Sequence, residues 1–216
     1  MKIRAAQELI NFLSERKQNR KRELISLSQD LSPPKGHPTA HTCKAAVVLA
    51  YAHWEGFVKE AAQAYVNLVA HKSKRLDALA LSFQALVFRQ ELLAAQSATR
   101  RIQQHLSLTK RFTDDITSSC KIDHDRAIDT ESNLNAEVFE NICLSVGLDY
   151  QTYWAVHGHR MDDLVANRCA IAHGEMSTPE DKYAREAVNF VIKAIDQFST
   201  DIENAATLEQ YLRKTS

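Results

Sequence analysis

Arg168 and His173 are the two side chains of this sequence whose types and spacing most directly suggest chemistry. Four residues separate them in Arg168-Cys-Ala-Ile-Ala-His173. In the surrounding segment, Met161, Leu164, Val165, Ile171 and Ala172 form one helical stripe at about 100° per residue, and Arg168 falls in its middle. An arginine facing apolar side chains is costly unless a carboxylate pairs it, a subunit seam covers it, or an anion is its target. His173 stands just before Gly174, near a helix C-terminus, where the negative end of the macrodipole favours an imidazolium and brings titration near neutrality. Such a pair could hold an anion and move a proton. The plainer alternative is an arginine tied to a carboxylate and a histidine that caps a helix.

Other chemistry-bearing residues carry less. His157-Gly-His159 alternates like a metal site but has no further ligand at a recognisable spacing, and reads as an exposed polar turn. The run Arg16-Lys-Gln-Asn-Arg-Lys-Arg22 could track phosphates, or it is the solvated face of a long helix. Trp54 and Glu55 read as packing residues. The four cysteines, Cys43, Cys120, Cys143 and Cys169, form no Cys-x-x-Cys pair, and no basic and apolar leader opens the chain, so reduced thiols in a cytoplasm are expected. There is no P-loop, no dinucleotide-binding glycine pattern and no zinc-protease motif.

The elements that must position these residues are helices. With 216 residues the chain fits one domain, and only 5 Gly and 4 Pro among 44% hydrophobic and 25% charged residues are too few turn-makers for a sandwich or barrel. The expected class is all-α, with residues 1–216 as one domain. A long first helix runs from Ile3 to about Leu31, broken by Leu31-Ser-Pro-Pro-Lys-Gly-His-Pro38. Val47, Tyr51, Trp54, Val58, Ala61, Tyr65 and Leu68 mark one face of the next helix, which should be core or dimer seam. A third helical stretch covers about Leu76 to Leu106, and residues 107–133 lose any period and read as a long loop. Helices from about Asn135 to Val146 and from about Arg160 to His173 end at Gly147 and Gly174, good left-handed C-terminal residues. In the last helix Thr178 serves as N-cap, with Pro179, Glu180 and Asp181 in the first turn, and Ala184, Val188, Val191, Ile195, Phe198, Ile202 and Ala205 form its core face.

Net charge is zero but unevenly spread: residues 1–110 carry 17 Lys and Arg against 8 Asp and Glu, residues 111–216 carry 10 against 19. Either the first half offers a basic nucleic-acid surface, or the two halves pair with each other. The longest purely apolar run, Ala45 to Ala52, is far shorter than the roughly 20 residues that span a bilayer.

Three stretches together resemble a known family: Asp163-Leu-Val before the Arg168 to His173 motif, Ile-Ala-His-Gly-Glu175 at its end, and Ala52-His-Trp-Glu-Gly-Phe-Val58 on an earlier helix. They resemble the HEPN superfamily, in its MAE_28990/MAE_18760-like branch, from about Lys35 to the last helix. The resemblance implies a helical bundle that pairs as a two-fold homodimer and a ribonuclease that uses Arg168 and His173, with no metal or other cofactor. It further implies RNA as substrate, a role in toxin–antitoxin or anti-phage systems, and an antitoxin protein as partner. Asn167 and Glu175, the polar residues flanking the pair, would orient substrate. Two departures stand out. Cys169 occupies the place after the arginine where the family usually has a polar residue, often Asn. Glu175 occupies the place of the tyrosine that is adenylylated in some HEPN toxins, so that route of control is not expected. A non-catalytic module for dimerisation or RNA binding is the alternative that Cys169 favours.

Overall fold

Proline and glycine set the helix boundaries. The computed structural model describes residues 2–97, 102–114, 116–119, 122–124, 127–175 and 178–214. Helix α1 (Ala6–Asp30) stops before the Ser-Pro-Pro segment, and α2 (Ala40–His71) starts after Pro38, its N-terminus capped by the Thr39 hydroxyl, which accepts the Thr42 N–H at 3.2 Å. Next come α3 (Leu81–Ser97), α4 (Ile102–Asp114), α5 (Ala136–Ser145), α6 (Gly158–Ala172) and α7 (Asp181–Thr207), with no strand among the described residues. The architecture is an all-α bundle. Gly147 (φ 70°) and Gly174 (φ 74°) close α5 and α6 in the left-handed region, as their places in the sequence require.

The seven apolar positions expected on α2, Val47 through Leu68, are all buried, and so are those expected on α7, Ala184 through Ala205. Helices α1, α6 and α7 of the same chain pack against α2, so its apolar face is core rather than dimer seam. At the centre, the Trp54 ring lies 5.1 Å from Phe139, 5.8 Å from Trp154 and 6.2 Å from Phe198, centroid to centroid. The segment Ala52–Val58 thereby gains a local account. Trp54 fills the core, His53 reaches Glu23 on α1 at 3.3 Å, and a Cβ on Gly56 would meet the Arg20 guanidinium at 2.9 Å. The missing side chain lets Arg20 cross α2 to reach Glu60 at 3.1 Å.

The charge asymmetry resolves the same way. Lys21 meets Asp196 at 2.6 Å and Lys17 meets Glu203 at 3.9 Å, both on α7, while Arg16 and Arg20 meet Glu60 on α2. Four side chains of the basic run, Arg16, Lys17, Arg20 and Lys21, meet acidic partners, while Gln18, Asn19 and Arg22 form an exposed face.

Several boundaries differ from expectation. Ile3 precedes α1 yet is buried, its N–H donating to Asn67 Oδ1 at 2.8 Å. The stretch 76–106 is divided into a 3-10 turn at Leu76–Ala78, then α3 and the start of α4. Residues 107–114, expected in a loop, complete α4. Its apolar residues Ile102, Leu106, Leu108 and Phe112 share one side of the helix, but only the last two fall after 106, and the Thr109 and Thr113 hydroxyls turn back onto carbonyls four residues earlier at 2.9 and 3.2 Å. Helix α7 begins at Asp181, with Glu180 rather than Thr178 at the N-cap and no side-chain cap bond. Asp181 is held instead by His37 Nδ1 at 2.8 Å, and Pro179 is buried. Cys43, Cys143 and Cys169 are free thiols, whereas Cys120 lies outside the described residues. Among the described residues no helix is long and apolar enough to cross a membrane.

If Trp54 is the keystone of this core, Trp54→Ala should cost about 3–5 kcal/mol of unfolding free energy in a denaturant titration, by lost burial and the cavity left behind. A loss under about 1 kcal/mol would place the centre of the core elsewhere.

Candidate active site

Helix α6 carries the Arg168 to His173 pair from the core to the surface. Met161, Leu164 and Val165 anchor its first half; beyond them Arg168, Cys169 and Ile171 are half-buried, and Ala172 and His173 are exposed. The stripe inferred from sequence therefore stays inside for two turns and leaves the core in the third.

Among the described residues, Arg168 is seated without a counter-charge. Its Cζ lies 4.6 Å from the centroid of the Tyr51 ring on α2, Nη2 points to the Ser132 carbonyl at 3.5 Å, and Nη1 lies 3.6 Å from Cys169 Sγ. Among the described residues no carboxylate comes within ion-pairing distance. A guanidinium carries five N–H donors, and these two long contacts leave most of them for another acceptor. The expected alternative, an arginine tied to a carboxylate, is not what the fold holds.

Tyr51 is the hub beneath it. Its hydroxyl accepts the Leu134 N–H at 2.8 Å and donates to Glu55, one helical turn further along α2. Burial, only partly opposed by the Leu134 hydrogen bond, pushes the phenol up to about 12, so Tyr51 keeps its proton at neutral pH. Above the ring lies a tight turn in which Glu131 and Ser132 both adopt φ 53°, a left-handed conformation costing about 1–2 kcal/mol per non-glycine residue. The Asp129 carboxylate accepts the Glu131 N–H at 2.8 Å, and the Thr130 carbonyl accepts the Asn133 N–H at 3.0 Å. The turn thereby presents Ser132 O to Arg168, Asn133 Oδ1 to Cys169 Sγ at 3.7 Å, and Leu134 N–H to Tyr51.

His173 is the C-cap of α6. Gly174 N–H bonds to Ile171 O at 3.1 Å and Glu175 N–H to Ala170 O at 3.0 Å, the paired bonds of a Schellman motif, which fix where the imidazole leaves the helix. No hydrogen bond joins it to Arg168. Of the other two expected site residues, Glu175 is exposed just past the cap. Asn167 is occupied, its Nδ2 donating to Asp163 O at 2.9 Å and its amide also reaching the Tyr183 hydroxyl on α7. The residues missed from sequence are Tyr51, Glu55, Ser132 and Asn133. The Tyr51/Glu55 spacing on one helix face was a usable signal; the turn gave none, because its partner on α6 is 36 residues away.

With this geometry in view, comparison with known families gives one match: the RiboL-PSP-HEPN family model covers residues 15–204. The chain belongs to the RiboL-PSP-HEPN family and thus to the HEPN superfamily; the narrower MAE_28990/MAE_18760-like branch is not shown. Membership suggests an RNase or RNA-binding function. No curated protein and no solved structure gives a significant match.

Tyr51→Phe tests the hub. It keeps the ring under Arg168 but strands the Leu134 N–H, which should cost about 1–3 kcal/mol and speed hydrogen exchange at that amide. Because the folded state holds the Tyr51 proton more tightly than the unfolded chain, wild-type stability is whole below about pH 10 and falls as pH rises toward the folded value, a loss the phenylalanine variant should lack in part. Unchanged exchange at Leu134 would remove Tyr51 from this role.

Proposed function

We propose that the chain is a metal-independent endoribonuclease in which two copies bring Arg168 and His173 together across a shared cleft. The observation that carries this reading is the unpaired Arg168: a half-buried guanidinium, oriented by Tyr51 and a strained turn, with donors left for an anionic oxygen. RNA supplies both the anion and the nucleophile. The 2′-oxygen attacks phosphorus as His173 takes its proton, the bond to the 5′-oxygen breaks, and that oxygen receives a proton from the partner subunit's His173. Arg168 binds the charge that grows on the phosphorus oxygens. The products are a 2′,3′-cyclic phosphate and a 5′-hydroxyl, and DNA, lacking the 2′-OH, resists. Exposed His173 suits a proton carrier in an open cleft. Asn167 and Glu175 flank that cleft as substrate-orienting residues. The setting we infer is cytoplasmic, in a toxin–antitoxin or anti-phage system with an antitoxin protein as partner.

A second reading is favoured by Cys169, whose thiol faces Asn133 in place of the family's usual polar residue: a non-catalytic HEPN module for dimerisation or RNA binding. Cleavage assays separate the two. His173→Ala should lower the rate by about 10² to 10⁴ with the melting temperature unchanged, and wild-type cleavage should survive EDTA. Arg168→Lys should be nearly as damaging as Arg168→Ala, because lysine keeps the charge but loses the fork that holds two phosphate oxygens. A wild type that binds RNA without cutting it establishes the second reading.

The dimer is tested separately. Leu92, Leu93, Ile102 and Leu106 on α3 and α4 are exposed apolar residues that a second copy would cover. Light scattering should give twice the chain mass at micromolar concentration, and a stable monomer would remove the shared cleft.

A further inference from the structure

The groove between α6 and α7 has no part in the chemistry above. Two adjoining cavities of about 210 and 410 Å³ run along it, sharing Arg160, Glu186 and Phe190. The larger is walled by aromatic faces: Tyr153 and His157 lie 5.0 Å apart, His157 and Phe190 6.0 Å apart, and the Arg160 guanidinium stands 5.9 Å from the Phe190 centroid. Tyr153 is 38% exposed, so its ring is accessible. Burial, then Arg160 and His159, hold the His157 imidazole below the ordinary histidine value, which makes it a neutral aromatic plate at pH 7.

The charges around these rings differ from those on α1. There Arg16, Lys17, Arg20 and Lys21 have acidic partners; here Arg160 and Lys193, on facing helices, have no ion-pair partner among the described residues. Two acids also line the groove: Asp163 at the α6 end, and Glu186, which lies 3.9 Å from Lys182 in an exposed pair, so phosphates would seat at the Lys193 and Arg160 side. The groove continues along α6 to Tyr183, whose hydroxyl meets Asn167 next to Arg168. From His157 to Asn167 that is a rise of about 15 Å along the helix.

Unpaired cations beside accessible aromatic faces suit a polyanion that carries flat bases. We propose that this groove is a subsite for single-stranded RNA, in which a base stacks on the Tyr153 ring, with His157 tilted 62° to that ring closing the side of the site, while the flanking phosphates pair with Arg160 and Lys193. The proposal rests on the reading that RNA is the substrate, and names the path by which a strand reaches Arg168. A duplex would not fit it, because its bases are already stacked on each other.

The test uses the full chain and a short, fully 2′-O-methylated single-stranded oligonucleotide, which lacks the nucleophile, with binding read by fluorescence anisotropy. Tyr153→Ala should weaken binding about tenfold, whereas Tyr153→Phe should stay within about twofold because the ring face remains. Lys193→Gln should weaken binding about threefold or more and lower the slope of log affinity against log salt by about 0.7, one phosphate contact for a single strand. Lys193 is exposed, so this variant reports on binding even if Tyr153→Ala perturbs the packing of Trp154. Unchanged affinity in both Tyr153→Ala and Lys193→Gln overturns the proposal. So does equal binding of a duplex, or competition by polyglutamate as strong as by the oligonucleotide with Tyr153→Ala still binding normally, since either would indicate charge without stacking. The nuclease reading can fail independently. No cleavage of unmodified RNA, with the variants weakened as expected, removes the chemistry and leaves the groove; normal cleavage with unweakened variants does the reverse.

Discussion

Everything in this bundle follows from the need to cover α2. Its buried residues keep to one face from Cys43 to Val58 and then point in nearly every direction from Ala61 to Val69, and a helix buried this heavily must be enclosed. Three other helices, α1, α6 and α7, do so. The same requirement sets the site, because α6 covers the side of α2 that carries Tyr51. Packing α6 there brings Arg168 onto the Tyr51 ring as a by-product of filling the core. Core and candidate site therefore share a helix, and a change in one is felt in the other.

Helix α1 belongs to the bundle on different terms. Only Leu9, Leu13 and Leu24 within it are buried, so apolar burial holds it less than it holds α2 or α7. Its basic side chains meet Glu60, Asp196 and Glu203 at its margins. Each such partly exposed pair is worth at most about 1 kcal/mol, so their effect lies less in stability than in electrostatics. They offset part of the field of the most basic segment in the chain. Four cations of α1 are thus matched, whereas Arg168, Arg160 and Lys193, grouped on α6 and the facing side of α7, have no ion-pair partner among the described residues. That contrast, invisible in a net charge of zero, directs attention to α6.

Helix faces were legible in the sequence because a 3.6-residue period needs only local order: every predicted core position of α2 and α7 is buried. Helix ends were legible where one residue type governs them, as Gly147 and Gly174 do. They were not legible where a distant partner intervenes. Thr178 has the local chemistry of an N-cap, but Asp181 is held by His37, 144 residues away, and the helix starts there. Residues 107–114 read as a loop because the period of α4 spans the boundary: Ile102, Leu106, Leu108 and Phe112 share one side of the helix, and the stretch after 106 holds only the last two. Arg168 and His173 could be found by type and spacing, whereas what orients Arg168 could not. Tyr51 looked like one more core residue, and the contribution of Ser132 is a backbone carbonyl, which sequence does not encode.

The direction of the two principal side chains bears on how they could act. Five residues apart on a helix, Arg168 and His173 project about 140° apart around its axis. Arg168 leans inward onto α2, while the capping bonds at Gly174 and Glu175 release His173 to solvent. A single copy thus offers an anion hold on one side of α6 and a proton carrier on another. The backbone cap fixes where the His173 side chain leaves the chain, and moving Arg168 outward would forfeit the Tyr51 ring and the turn that shapes its guanidinium. In the dimer proposed above, a second copy would set the histidine of one protomer against the arginine of its partner without moving Arg168 off its ring. The composite cleft of the proposed ribonuclease is therefore the arrangement that leaves both side chains where the fold has already placed them.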